Sequence, residues 1–210
     1  MKLPSFITGL WGWLRRPSGR ALGSLLLVGF VGGILFWGAF NTGMEMTNQE
    51  QFCIGCHEMQ VNVYEEYVTT VHYNNRSGVR ATCPDCHVPK DWTHKMVRKI
   101  QASKELWGKA IGIVDTPKKF SDHRLVMAER EWARMRKTDS QECRNCHNFE
   151  YMDFTEQKSV AGRMHASASE LGKTCIDCHK GIAHRLPEDY EGNDAISQAL
   201  QVMPQGASHR

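Results

Sequence analysis

A mainly α-helical, loop-rich domain carried on one N-terminal membrane-spanning helix is the fold class this sequence predicts, and three observations predict it. Residues 21–40, ALGSLLLVGFVGGILFWGAF, hold no charged side chain. Trp92, Met96, Ile100, Ser103, Trp107 and Ile111 recur at steps of three and four, which gives residues 92–113 one largely apolar helix face. All 8 cysteines fall in four copies of Cys-x-x-Cys-His.

Residues 1–20 form a basic leader with Lys2, Arg15, Arg16 and Arg20 and no acid. Residues 21–40 follow, and at about 1.5 Å per residue they cross a hydrocarbon core of about 30 Å. A cleaved signal peptide has a shorter apolar run, about 7–15 residues, and a small-residue cleavage site. Trp37-Gly38-Ala39-Phe40 offers no such site, so the segment reads as a retained anchor. The flanking arginines place the leader in the cytoplasm and send everything after residue 41 across the membrane. Gly29 and Gly33 form a small-xxx-small pair through which two such helices can meet in a homodimer. The formal charge of +3 belongs to the leader, because the rest of the chain has one more acid than base; nucleic-acid binding is not indicated.

The four motifs are Cys53, Cys56, His57; Cys83, Cys86, His87; Cys143, Cys146, His147; and Cys175, Cys178, His179. In this pattern the two thiols form thioethers to a porphyrin and the adjacent histidine binds its iron. Structural zinc or a redox dithiol also uses paired cysteines, but neither requires a histidine directly after each second one. The sequence therefore predicts four covalently attached c-type haems and a role in electron transfer. Four haems leave only about forty residues for each, so the porphyrins must supply much of the core. Attachment of this kind is completed outside the bacterial inner membrane, which agrees with a periplasmic domain at residues 41–187.

The motifs begin at 53, 83, 143 and 175, two pairs flanking a long gap. Each pair encloses one more histidine at nearly the same place, His72 and His165, and both second motifs read Cys-x-Asp-Cys-His. A duplicated two-haem unit accounts for this. Iron with histidine on both sides is closed to substrate and suited to electron transfer. His72, His165 and His184 are the candidates for the opposite ligands. His94 and His123 lie in basic helical stretches as surface residues, and His209 sits in the terminal segment. A second helix is predicted over about 121–137, a turn at Asn74–Gly78, and a mobile tail at 188–210.

The ordered segments CIGCHEM, VHYNNRSG, CPDCHVP, KIQASKELWG, CRNCHNFEYMD, KSVAGRMH and CIDCHKGIAH, behind the anchor, resemble the NapC/NirT family of membrane-anchored tetrahaem quinol dehydrogenases over residues 12–187. The resemblance implies that the first haem lies at the membrane surface beside a quinol pocket, with His57 or Met59 as its ligand. It also implies the pairs His87 with His184, His147 with His72 and His179 with His165. Lys99 and Glu105 match positions associated with the quinol site. Arg98, seven residues from Glu105, shares its helix face. Glu105 is the candidate proton acceptor, tuned by burial and the nearby cation. The same lysines and arginines also read as a basic face resting on anionic headgroups of the inner membrane.

The function this implies is transfer of electrons from the menaquinol or ubiquinol pool to a periplasmic reductase, the nitrate reductase complex before others. A passive multihaem relay serving nitrite or trimethylamine oxide reduction is the alternative. A terminal reductase needs an open iron, which the surplus of histidines argues against.

Overall fold

The computed structural model describes residues 5–192. His209, and the predicted tail from residue 193 onward, lie outside the described residues. The chain divides into two compact units at Thr47 and Asn48. Among the described residues there are helices, turns and loops and no strand.

The first unit holds two helices. α1, Ser5–Leu14, forms inside the basic leader, where the sequence reading placed no helix. Its Phe6, Leu10 and Leu14 recur every fourth residue and are exposed, and the Arg15 guanidinium lies over the Trp11 ring at 5.8 Å. α2, Leu22–Met46, is long and apolar enough to cross a membrane, with a mean hydropathy of 2.0. It runs six residues beyond the uncharged segment because its backbone ladder does not depend on apolar side chains. Asn41 returns its amide to the Trp37 carbonyl at 2.8 Å, and Thr47 closes the end.

The second unit is a series of short helices at the cysteine motifs joined by two long ones. α3, Glu50–Cys53, leads into the first motif. α4 (His57–Met59), a π-helical turn (Gln60–Tyr64) and α5 (Glu65–Tyr67) continue as one helical stretch. A loop then returns to α6, Cys83–His87. In that loop the Asn75 amide bridges the Val71 and Val79 carbonyls at 2.8 and 2.7 Å, and Gly78 takes a φ of 73°. Tyr67, buried, donates its hydroxyl to the Ala81 carbonyl and fixes the entry to α6.

α7, Trp92–Ala110, starts at Asp91, whose carboxylate accepts from the His94 N–H. α8, Pro117–Lys137, starts four residues earlier than predicted, because Thr116 caps it and Pro117 suits the first turn. α9 (Gln141–Arg144), a 3₁₀ turn (Phe149–Tyr151), α10 (Ser159–Ser167) and α11 (Cys175–Cys178) complete the unit. The start of the predicted tail is docked: Tyr190 packs against Trp132 at 4.9 Å and accepts from the Lys180 ammonium at 2.8 Å.

The apolar core of the described polypeptide is Tyr67, Phe120, Met135 and Ile176, while Glu50, Glu58, Ser140 and Glu142 are also buried. A buried carboxylate needs a partner, and each glutamate has a cation: Arg80 for Glu50, Lys109 for Glu58, Arg134 for Glu142. The largely apolar face of α7 is exposed in the polypeptide, with Trp92, Ile100 and Trp107 at 54%, 67% and 66% exposure. Of its basic residues, Lys109 turns to the buried Glu58 and the Arg98 side chain is largely buried, while Lys104 is exposed.

Candidate functional site

Both second motifs are held by the same local device. Thr82 and Thr174 precede them, and Asp85 and Asp177 stand at the third helical position in capping boxes. Asp85 accepts from the Thr82 N–H at 2.8 Å and its hydroxyl at 2.6 Å. Asp177 accepts from the Thr174 N–H at 2.9 Å. The shared aspartate of Cys-x-Asp-Cys-His therefore presents both cysteines on one turn. The signal Thr-Cys-x-Asp was present in the sequence.

The motifs are neighbours in space in the order they occupy in the chain. Cys53 and Cys83 lie side by side, and so do Cys143 and Cys175. Cys86 lies within electrostatic reach of Cys146 and Cys143, where α6 meets α9. Within each side-by-side pair the neighbouring thiol lowers the pKa of one member, Cys53 or Cys175, and raises that of the other, Cys83 or Cys143. Burial pushes Cys86 up to about 11. All eight thiols are free of disulfides.

Three histidine pairs face each other. The ring centres are 6.2 Å apart for His72 and His147, 6.2 Å for His87 and His184, and 5.9 Å for His165 and His179. With a metal–nitrogen length of about 2 Å and roughly 1 Å from nitrogen to ring centre, two imidazoles on one metal stand about 6 Å apart. The pairs thus fit a six-coordinate iron between them, next to thiols spaced to hold the porphyrin. Among the described residues no histidine ring faces His57, which is exposed, and Met59 is half-buried in the same turn. His94 pairs with Asp91 and His123 bonds the Lys119 carbonyl, both at the surface.

Three of the ligand candidates, His184, His87 and His165, are placed by groups from elsewhere. Glu66 takes both arms of Arg124, at 2.9 and 2.5 Å, and accepts from the Arg185 N–H at 2.8 Å. Arg124 also donates to the Arg185 carbonyl at 2.7 Å, so this fork fixes the residue next to His184. Burial pushes the Glu66 carboxyl up, but Arg124 and the Arg185 N–H outweigh it and hold it below its ordinary value. Burial lowers His184 to about 4, with the His87 charge adding to it.

His87 Nδ1 lies 2.8 Å from Glu131 Oε1, and His165 Nδ1 lies 2.5 Å from Gln157 Oε1. Glu131 also accepts from Arg134 at 2.7 and 3.1 Å. Burial pushes Glu131 up, yet His87 and Arg134 hold it well below the carboxylate range. Neither Glu131 nor Glu66 was singled out by sequence reasoning, because their partners are distant in the chain.

The candidate quinol residues lie on α7. Lys99 is close enough to Cys53 to lower its thiol, which puts it beside the first motif. Arg98 is 3.2 Å from Glu105, as their seven-residue spacing requires, with its own side chain 14% exposed. Glu105 is 57% exposed in the polypeptide.

The chain matches the NapC/NirT cytochrome c family, N-terminal region, over residues 16–189. It is 67% identical over 185 residues to the cytochrome c-type protein NapC of Escherichia coli strain K12, covering 88% of this chain and 92% of that protein. Identity to the denitrification system component NirT of Stutzerimonas stutzeri is 62% over 187 residues, 89% of this chain and 93% of NirT. A putative tetraheme cytochrome-c type protein of Allochromatium vinosum is 48% identical over 168 residues, 79% and 91% of the two chains. No solved structure matches the chain.

Proposed function

The chain belongs to the NapC/NirT cytochrome c family, and from that premise we propose that it is a membrane-anchored tetrahaem quinol dehydrogenase feeding a periplasmic reductase, nitrate reductase first among them. The observation that carries this reading is the run of four motifs neighbouring one another in chain order, with three facing histidine pairs about 6 Å apart.

c-Type haem supplies reversible one-electron transfer when bound. The chain's part is to hold and insulate it. Cys53 and Cys56, Cys83 and Cys86, Cys143 and Cys146, and Cys175 and Cys178 would hold four such groups by thioethers. His72 with His147, His87 with His184 and His165 with His179 would supply the ligands of three of them and leave no position for substrate. His57 or Met59 would serve the first.

Quinol gives up two electrons and two protons as it becomes quinone. Glu105, oriented by Arg98 at 3.2 Å, takes the two protons one at a time at its carboxylate and releases each toward the periplasm, while the two electrons leave singly for the site of the first motif, whose approach Lys99 lines. α2 holds the domain at the lipid surface where quinol is available, with the basic leader in the cytoplasm and the haem domain in the periplasm. A passive relay serving nitrite reduction is the second reading, favoured by the similarity to a denitrification component.

Anaerobic stopped-flow absorbance with menaquinol and ubiquinol analogues separates the two. The dehydrogenase is reduced directly, and Glu105→Gln slows that reduction by on the order of a hundredfold. If neither quinol reduces the wild type, the relay reading stands instead.

A further inference from the structure

The outer nitrogens of the facing histidines meet unequal surroundings. His87 Nδ1 faces a carboxylate, Glu131, at 2.8 Å. His165 Nδ1 faces a neutral amide oxygen, Gln157, at 2.5 Å. His72 Nδ1 is buried without a partner, and the buried His184 has no carboxylate or amide side chain at Nδ1, only the neutral Val63 backbone nearby. An imidazole that binds iron through Nε2 keeps its proton on Nδ1 and donates it outward. An ionised carboxylate accepts that proton more strongly than an amide does, and so makes the ring a stronger electron donor to the metal.

Arg134 fixes this carboxylate without neutralising it. The guanidinium reaches Glu131 at 2.7 and 3.1 Å, but it also reaches Glu142 at 2.6 Å and the Cys86 carbonyl at 3.3 Å. Two largely buried carboxylates thus share Arg134, and Arg98 is a second cation within electrostatic reach of His87. The direct hydrogen bond to Glu131 is therefore what sets His87 apart, and a more basic imidazole favours ferric over ferrous iron.

We propose that Glu131 is a positioning and tuning residue that, through its hydrogen bond to His87, holds down the reduction potential of the haem carried by Cys83 and Cys86. This rests on the reading of His87 and His184 as opposite ligands of one iron.

The test is an equilibrium redox titration of the detergent-solubilised holoprotein, followed by absorbance and by the low-spin ferric EPR signals. Glu131→Gln keeps shape and a hydrogen-bond acceptor but removes the charge. One of the four midpoints is expected to rise by at least a tenfold change in the reduced-to-oxidised ratio, about 59 mV for one electron, and the EPR signal of that same haem moves with it. Glu131→Asp keeps the charge but withdraws it from His87, and gives a smaller rise. Unshifted midpoints in the Gln variant with all haems attached overturn the proposal. If that variant does not load haem, an unshifted Asp variant overturns it. His184→Met tests the underlying assignment separately: it converts one bis-histidine EPR signal to a histidine–methionine signal. If the signal does not change, it is the ligand reading that fails. If it changes while Glu131→Gln shifts nothing, the tuning alone fails.

Discussion

In the half of the domain from Cys53 to His87, the two motifs are tied by an ion pair, Arg80 on the buried Glu50. Its two inner histidines, His72 and His87, face rings that lie beyond it in the chain, His147 and His184. In the half from Cys143 to His179, the tie is a hydroxyl. Ser140, fully buried, accepts from the Ile176 N–H at 3.1 Å and from the Thr174 hydroxyl at 2.7 Å. Here His165 faces His179 within the same half. The two halves share their motif spacing, their capping boxes and their abutting cysteines. They differ in the chemistry of the tie and in self-sufficiency, because only the second half contains a matched histidine pair. The parts that set distances are alike in the two halves, and the parts that set stability differ.

Breaking the Arg80–Glu50 tie and the Arg134 bridge of Glu131 and Glu142 gives the largest contrast. Arg134→Met strands Glu142, whose side chain is 2% exposed, together with Glu131, and is expected to cost about 3–5 kcal/mol in denaturant unfolding of the holoprotein. Arg80→Met strands only Glu50, and Arg80 is 38% exposed, so solvent screening reduces its cost to about 1–2 kcal/mol. Equal costs would mean that the ties are equivalent after all.

The hydroxyl tie is next. Ser140→Ala leaves the buried Ile176 N–H unpaired, at about 1–3 kcal/mol. Ser140 also has a φ of 50°, a region alanine adopts less easily than glycine, so Ser140→Gly should be the milder of the two by about 1 kcal/mol. The thermal midpoints of the two variants check this order.

The smallest effect is in the pH dependence. Arg124 depresses the folded value of Glu66 against the opposing effect of burial. The stability it contributes is present above the ordinary glutamate value of about 4.3 and is lost as pH falls through the folded value. Stability measured from pH 6 downward should therefore fall less steeply in Glu66→Gln than in the wild type, by on the order of one proton's slope.

The eight cysteines, the four motif histidines and the repeat were legible because covalent attachment leaves a fixed local spacing. The anchor was legible from its uncharged run, although Asn41 to Met46 extend the helix past the point where hydropathy ends. The inward turn of Lys109 on α7 was not legible, because the buried Glu58 that draws it lies 51 residues earlier in the chain. Glu131 and Glu66 were hidden for a different reason. Their importance lies in pairs 44 and 58 residues apart, His87 with Glu131 and Glu66 with Arg124, and no local pattern records such a distance. α1 was masked by the arginines that follow it, which made the leader read as charge alone. Tyr190 was lost in a segment whose glycines and prolines suggested no structure, yet a single aromatic contact is enough to hold its start in place.

The motifs meet as neighbours in the order in which they occur along the chain, with side-by-side thiols inside each half and a looser approach between Cys86 and Cys146. Under the proposed function such an order is a line in series, with no detour around a damaged station.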